Sequence, residues 1–596
     1  MKKTTKLFAL AGISLLSTAV LAACGSSSSS GSSTAAQNTT FPTEVSNEGT
    51  AIKGGQLNYA VVAASPSTGL LINELTDNTV DSTFGGMVDE NIFGYDGNRK
   101  LDDSGLAKPE FDTKNKTVTV TLTGKDYKWS DGEAFTIDDY IFTIKALADK
   151  GYTGVRFDDT YTNIVGMDEY REGTATDISG IKKVDDYTVV LTMKEMTPSM
   201  MYAGGAVPAH IAPEHIYKDI PVADWEKSEY SRTAKHVGMG PFVIKDIVNG
   251  ESVTFAANPN YYKGQPKLDT VKMDIVSPDT IVSEMKAGNY DIADMPSDQL
   301  DSYKDFSNIT LTGAIGSNYE YIGFNLGKYD TEAETNVMNE NAKMNDVKLR
   351  QAMGYALDTK TAGESLYNGL YKPANSLIIS FFGDIHDSEL AGYTYDPEKA
   401  NKLLDEAGYK DVDGDGIREG KDGKEFKITF AARKRTEANE TLVQQYLAWW
   451  KEVGLNVELY TGRTIELNSF YDMLQASDQN IDVYAGGWST GYDPNPTGLY
   501  GADAMFNFSH FVSDENTKIL EAISSEASFD EATNLKNYKA WQTYAFEQAF
   551  VIPTFESEVL TAVNKRVKYY DRLYGSASKA GWEQIELVAD KGVVAE

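Results

Sequence analysis

Hydrophobic and polar residues alternate along some segments of the chain and recur with a helical period along others. Residues 117–122 alternate threonine with apolar side chains, which is the period of a half-buried strand. A helical pattern covers residues 136–148, where Thr136 suits the N-cap and Asp138 and Asp139 lie in the first turn, which favours acidic side chains. Such patterns mix along the chain without an obvious repeat. They predict a multi-lobed α/β protein with inserted β-hairpins.

Further elements follow from the same periods and from the residues that end helices. Gly408 and Gly454 each follow a helical pattern and suit the left-handed backbone found just after a helix. The strand patterns cover residues 54–62, 184–194 (a pair joined by a turn at Asp185-Asp186), 425–431, 455–460 and 481–485, and the helical patterns cover residues 346–367, 397–407, 437–453 and 530–549.

The N-terminus has the pattern of an export signal. Three lysines, Lys2, Lys3 and Lys6, lie within the first six residues. The apolar run that follows, residues 7–20, is shorter than the roughly 20 residues that a bilayer crossing needs. The pattern therefore predicts a signal peptide over residues 1–23. No other segment approaches roughly 18 consecutive apolar residues, so no further membrane span is expected.

Residues 21–25 resemble the lipobox of bacterial lipoproteins, with Cys24 at the modified position. In lipoproteins that cysteine is linked to diacylglycerol and becomes the first residue after cleavage. The alternative is an ordinary signal peptide with an incidental cysteine, although Cys24 is the only cysteine of the chain. The resemblance implies a lipid anchor on the outer face of the cell membrane, in an envelope without an outer membrane, as in Gram-positive bacteria. A flexible lipid-anchored spacer is predicted over residues 24–50.

Charge and length narrow the class of protein. The formal net charge is −33, which excludes nucleic acid as a generic partner because phosphate contacts need clustered lysine and arginine. A single cysteine leaves no internal disulfide. A chain of 596 residues is too long for one ordinary core and indicates two or three lobes.

Five segments, in this order along the chain, together resemble one known family. The first contains Y-K-W-S-D-G-E-A-F-T-I-D-D, an aromatic-S-D-G turn followed by the start of a helix. The segments are residues 122–139, residues 237–242 with 258–264, residues 285–294, residues 346–358, and residues 395–400 with 413–416.

These segments are similar to the large solute-binding proteins of peptide ABC importers, the oligopeptide- and dipeptide-binding proteins. The resemblance runs from about residue 54 to residue 555. It implies a bilobed periplasmic-binding-protein-like α/β fold with mixed sheets, an inserted domain and a hinge near residues 319–325. The implied bounds are residues 51–85, 236–320 and 556–596 for lobe I, 86–235 for the inserted domain II and 321–555 for lobe III.

The family's function is the implied function of this chain. Its members close over an extended oligopeptide and deliver it to the membrane permease of an ABC importer, without catalysis, and a monomer is expected. Alternatives within the same fold are a dipeptide, haem or a sugar as the solute. An extended peptide offers backbone groups that strand-like segments can pair with, and a terminal ammonium for which a carboxylate is the natural partner.

The family holds that ammonium with an aspartate shortly after a Gly-Trp pair. Here Gly491 stands at the usual aspartate position after Trp488, and the carboxylate follows at Asp493. We predict Asp493 as the ammonium anchor and Trp488 as a wall of a side-chain pocket. The alternative for Asp493 is capping of the turn before Pro494. Tyr319, Tyr321 and Asn325, near the implied hinge, are candidates for hydrogen bonds to the ligand backbone, with a structural role as the alternative.

A hydrolase is the competing class. Residues 487–491 match G-x-S-x-G, in which Ser489 would be the nucleophile. That motif requires a helix directly after the serine, whereas Pro494 and Pro496 follow here. His510 is the only histidine downstream. We therefore do not expect an enzyme.

Cofactors are not expected, apart from one candidate for structural Ca²⁺. Asp411, Asp413, Asp415 and Asp422 match the spacing of a calcium loop. Against an EF-hand, position twelve is aspartate rather than glutamate and a strand pattern follows. The alternative is an acidic loop of Asx turns. The five histidines are scattered, so no other metal site is expected.

Overall fold

Strands are distributed along the whole of the described chain. The computed structural model describes residues 39–63, 65–573 and 581–596, and the predicted signal peptide and Cys24 lie outside these ranges. The strands are β1 (Glu44–Ser46), β2 (Gln56–Val62), β3 (Gly94–Tyr95), β4 (Leu101–Asp102), β5 (Ala107–Asp112), β6 (Thr117–Leu122), β7 (Ile181–Asp185), β8 (Thr188–Thr192), β9 (Phe242–Val248), β10 (Ser252–Ala257), β11 (Thr270–Val276), β12 (Ile292–Met295), β13 (Ile309–Phe324), β14 (Gly327–Asp330), β15 (Thr335–Met338), β16 (Tyr371–Pro373), β17 (Lys427–Ala432), β18 (Asn456–Leu459), β19 (Val483–Ser489), β20 (Val551–Asn564) and β21 (Tyr569–Asp571).

Helices alternate with these strands, most densely in the second half of the chain. The α-helices are α1 (Thr79–Gly85), α2 (Ile137–Leu147), α3 (Asp159–Thr162), α4 (Met167–Glu172), α5 (Glu214–Tyr217), α6 (Glu229–Arg232), α7 (Ile281–Lys286), α8 (Leu300–Tyr303), α9 (Val347–Tyr355), α10 (Thr359–Leu366), α11 (Pro397–Ala407), α12 (Glu437–Glu452), α13 (Leu467–Gln475), α14 (Thr497–Tyr500), α15 (Asp514–Ser524) and α16 (Glu531–Gln548). The 3₁₀ helices are Pro198–Met201, Val222–Lys227, Ser297–Gln299, Lys343–Asn345, Ser380–Ile385, Glu526–Phe529 and Trp582–Gln584.

The two longest strands, β13 and β20, lie at the centre of the large sheet. Its order is β18-β17-β19-β13-β20-β12-β2-β11-β10-β9, with β16 also paired to β20. β13 and β20 are antiparallel, and their register shifts between Ile315 and Tyr319 and again between Glu320 and Tyr321. The last part of β13 pairs with β19, while β12 pairs with the other end of β20. The two strands therefore cross from one half of the sheet to the other.

The described residues form four hydrophobic cores. One core is built from residues within 315–555 together with Tyr202, and a second from residues within 70–239 around the separate sheet β5-β6-β8-β7. A third core combines residues from both ends of the described chain with β9–β11, and a smaller one lies around α7 and α8. Chain crossing between cores at paired strands suits hinge motion. The exact domain bounds stay a prediction.

Local sequence signals account for several elements. Thr136 caps α2: its side chain accepts a hydrogen bond from the Asp138 N–H at 3.3 Å, and the Asp139 carboxylate accepts one from the Thr136 N–H at 3.0 Å. This reciprocal capping satisfies N–H groups that the helix leaves unpaired. Gly408, with φ of 92°, follows α11, and Gly454, with φ of 83°, lies just after α12.

Several predicted bounds differ from the observed ones, and two of the differences have a clear physical reason. The predicted helix 346–367 is two helices, α9 and α10, because the Asp358 carboxylate accepts the Thr361 N–H at 3.0 Å and starts a new helix. The predicted spacer does not extend to residue 50, because β1 pairs with β21. In addition, the buried Glu558 carboxylate accepts the Thr40 N–H at 2.6 Å.

The structure also bears on the membrane. Among the residues that it describes, none of the helices combines the length and the apolar character that crossing a bilayer requires.

Candidate functional site

A cavity of about 400 Å³ lies where β13, β19 and β20 meet. The register shifts of β13 and the end of β19 separate the strands there, so that side chains of several elements face one space. The cavity is lined by Asn318, Tyr319, Glu320, Tyr371, Arg433, Lys434, Arg435, Leu467, Gly487, Trp488, Ser489, Phe555 and Ser557. A cleft that combines aromatic faces with polar and charged groups has the features of a ligand site.

Trp488 forms an aromatic wall of this cavity. Its ring stacks on Phe508 at 5.5 Å between centroids and on Tyr321 at 6.4 Å, and Phe506 approaches it edge-on at 5.8 Å. Trp488 is half-buried, whereas Phe506 is largely exposed. This packing fixes the indole, and the part of it that stays accessible can receive an apolar or planar group of a ligand.

A charged group that also lines the cavity was not predicted from the sequence. Glu320 on β13 forms ion pairs with Arg433 and Arg435, just after β17. Lys434 lies between the two arginines and is exposed. Three cations and one anion give the cavity lining a net charge of +2 in a chain of net charge −33. This lining attracts an anionic group of a ligand.

Asp493 lies beyond the end of β19, outside the lining of this cavity. Its carboxylate accepts hydrogen bonds from the Asn495 N–H at 3.0 Å and from the Ser199 hydroxyl. The first bond is the turn cap that was the alternative role. No positively charged side chain of the described residues offsets its charge, and burial raises the pKa of the Asp493 carboxyl above its ordinary value of 3.8. A carboxylate has about four acceptor positions, so capacity for a ligand ammonium remains.

The other three predicted site residues, Tyr319, Tyr321 and Asn325, have different surroundings in the structure. The Tyr319 hydroxyl is 2.6 Å from the Tyr500 hydroxyl. The Tyr321 hydroxyl is buried and has no hydrogen-bond partner among the described residues. The Asn325 amide donates to the carbonyls of Asp478 and Ile481, at 3.1 and 3.0 Å. Asn325 thus holds a turn, Tyr319 lines the cavity, and Tyr321 keeps an unused donor beside it.

The geometry around Ser489 does not resemble a hydrolase elbow. Ser489 is the last residue of β19, and the next helix, α14, begins only at Thr497. The His510 ring is buried and its Nδ1 lies 2.8 Å from the Asn336 side-chain oxygen. Burial lowers the pKa of His510 to about 4. The serine therefore lacks the strand–turn–helix context that exposes a nucleophile.

The acidic loop brings three of its four predicted calcium ligands together. Carboxylate oxygens of Asp411, Asp413 and Asp415 all lie within 4.8 Å of one another. The Asp411 carboxylate accepts the N–H groups of Gly414 and Gly416, as in an Asx turn. Asp422 is outside this group and pairs with Lys424 at 2.8 Å. The Ca²⁺ site stays a prediction.

Sequence and structure comparisons agree on one family. Residues 104–509 match the model of bacterial extracellular solute-binding proteins, family 5 middle. The oligopeptide-binding protein OppA of Lactococcus lactis subsp. lactis is 35% identical over 98% of this chain and 99% of its own. The oligopeptide-binding protein AppA of Bacillus subtilis is 26% identical over 71% of this chain and 70% of its own. Lactococcal OppA, solved with an endogenous peptide in the closed conformation, has a TM-score of 0.69 at 34% identity and covers 90% of this chain and 100% of its own.

The crossing strands, separate cores and cleft define a bilobed solute-binding protein with a mixed α/β fold, as predicted. The chain belongs to the bacterial extracellular solute-binding proteins of family 5. Members of this family are binding proteins of importers, which confirms the expectation that the chain is not an enzyme.

Proposed function

We propose that this protein captures extended oligopeptides in its cleft, closes over them, and delivers them to the permease of an ABC importer. The cavity at the crossing strands carries the proposal, because it combines an aromatic wall at Trp488 with a cationic lining at Arg433, Lys434 and Arg435. The similarity to OppA, named an oligopeptide-binding protein and solved with a bound peptide, supports the ligand class.

The two charged regions give the ligand a direction. Asp493 is the anionic end and binds the peptide ammonium. The basic side chains after β17 form the cationic end and receive the terminal carboxylate or an acidic side chain. Between them, backbone groups at the end of β19 pair with the peptide as in β-strand addition. Binding through groups that all peptides share accommodates many sequences.

The ligand class is tested by mass spectrometry of compounds released when the purified protein is denatured. We expect peptides of mixed sequence within a common length range. A sample that has been unfolded, dialysed and refolded before release is the control for background peptides. Recovery of a single compound instead, such as a dipeptide, haem or a sugar, would contradict oligopeptide capture and identify the alternative solute.

A lipid on Cys24 would keep the binding lobes beside the membrane that holds the permease. Cys24 lies outside the described residues, and the proposal rests on the lipobox-like residues 21–25. We expect Cys24→Ala to move the protein from the membrane fraction to the culture medium, because an acyl chain supplies about 0.8 kcal/mol of membrane affinity per buried CH₂. The unmodified chain is the control, and a Cys24→Ala variant that stays with the membrane would contradict anchoring.

A further inference from the structure

The turn between β3 and β4 contacts a core other than its own. Residues 95–100, here named the 95–100 hairpin, follow Ile92 and Phe93, which belong to the core of residues 70–239. Asp96 accepts the N–H groups of Asn98 and Lys100 at 2.8 and 3.0 Å, which fixes the shape of the turn. The tip of the hairpin lies against residues of the core built from 315–555.

Polar contacts join the tip to the elements of the core of residues 315–555. Asn98 donates from its amide to the Asp384 carboxylate at 3.0 Å and accepts the Asp384 N–H at 3.2 Å. Lys100 forms an ion pair with Glu531 at 2.7 Å. A Cβ at Gly383, whose φ is 56°, would lie 2.2 Å from the Asn98 side-chain oxygen. A side chain at position 383 would therefore collide with Asn98, and glycine permits this approach.

Arg99 adds an aromatic contact to Tyr492, the neighbour of the proposed ammonium anchor Asp493. Its guanidinium lies 4.2 Å from the centre of the Phe381 ring and 5.5 Å from that of Tyr492, and Tyr95 meets Tyr492 at 5.5 Å. Only 5% of Arg99 is exposed, and its Nε has no acceptor among the described residues. Tyr492 directly precedes Asp493.

These contacts suit a reversible closure. The side chain of Arg99 is held by aromatic faces, which water can replace when the cores separate. A buried ion pair between the cores would be less suitable. If opening exposed only one partner to water, the other would remain buried as an uncompensated charge. The polar contacts of Asn98 and Lys100 are likewise ones that water can satisfy.

We propose that the 95–100 hairpin is the latch of the cleft, and that Arg99 and Tyr95 position Tyr492, and through it Asp493, only when the two cores meet. The proposal rests on the proposed function, since it assigns Asp493 to the ligand. The latch makes the ligand site complete in the closed form and incomplete in the open form. It slows ligand release rather than contacting the ligand itself.

A reversible cross-link tests the latch directly. Cys24 is the only cysteine, so Asn98→Cys with Asp384→Cys in a Cys24→Ala background can form one disulfide. With a labelled peptide bound, we expect oxidation to stop exchange with unlabelled peptide and a reductant to restore it. Each single-cysteine variant is the control. Exchange that continues at the wild-type rate in fully cross-linked protein, or failure of the bound protein to cross-link, would overturn the proposal.

Arg99→Ala provides a test without a cross-link. We expect peptide dissociation to accelerate about tenfold, as for loss of a desolvated cation–π contact, with the melting temperature of the ligand-free protein unchanged. Lys108→Ala, which removes an ion pair with Glu110 inside the same domain, is the matched control. Unchanged dissociation from Arg99→Ala would overturn the latch. Failure of the unmodified protein to bind any peptide would instead overturn the proposed function.

Discussion

Asp493→Asn is expected to weaken peptide binding by about 2–5 kcal/mol, as when one partner of a buried charge pair is removed. Asparagine keeps a side-chain oxygen that can accept the Asn495 N–H, so the turn cap survives while the charge is lost. The substitution therefore separates the two roles of Asp493. A calorimetric titration with a peptide found in the purified protein measures the change.

The Asp493 carboxylate also leads to two predictions about pH, one for folding stability and one for peptide affinity. Because burial raises the pKa of Asp493, the folded protein without ligand protonates this carboxyl more readily than the unfolded chain does. The stability gained from that protonation is complete below the ordinary value of 3.8 and is lost as the pH rises through the raised pKa. Peptide affinity changes in the opposite direction, because an ammonium pairs with the ionised form. Affinity is expected to be full above the raised pKa and to fall below it.

Stability and binding should thus separate in the variant. Asp493→Asn is expected to melt at or above the temperature of the unmodified protein at neutral pH, because no buried charge remains, while binding is lost. An N-acetylated peptide, which lacks the ammonium, should bind the two proteins equally. Equal affinity of both proteins for the free peptide would leave Asp493 with the turn alone.

Short-range signals predicted the elements that depend on neighbouring residues. β6 was predicted at its observed bounds because Val118 and Val120 alternate with threonines, which are half-buried in the structure. The start of α2 was predicted because Thr136 suits an N-cap and Asp138 and Asp139 suit the first turn. In contrast, β1 could not be predicted, since its strand partner lies more than 500 residues later in the chain, at β21.

The residues of the candidate site were predicted or missed for the same reason. Trp488 and Asp493 were found from a motif within a few residues of each other. The group of Glu320, Arg433 and Arg435 was missed because β13 and the segment after β17 are more than 100 residues apart and only the sheet joins them. The one local signal was the run Arg-Lys-Arg directly after a strand pattern, in an otherwise acidic chain.

The second large expected effect is a loss of stability where β2, β12, β20 and the segment around Asp590 meet. Arg566 and Asp291 form a buried pair, with 3% and 1% of their side chains exposed. Arg566 also donates to the carbonyls of Gln56 and Asp590, at 2.9 and 2.8 Å, and the Asp291 carboxylate accepts the Asn58 N–H at 2.7 Å. One ion pair therefore ties the start of β2 to the segments before β12, after β20 and near the C-terminus.

Asp291→Ala should destabilise this region by about 3–5 kcal/mol, because it leaves a buried guanidinium without its counter-ion. Hydrogen exchange of the amides of β2 and β12, followed by mass spectrometry, measures local opening without requiring the whole chain to unfold in two states.

The double variant Asp291→Ala with Arg566→Met leaves no charge behind and should lose less stability than the sum of the losses in the two single variants. Lys108→Ala, at an exposed ion pair, is the control and should leave exchange unchanged. Peptide affinity should persist at a temperature where the variant is folded, since neither residue lines the cavity. Additive losses in the double variant would show that the two charges do not depend on each other.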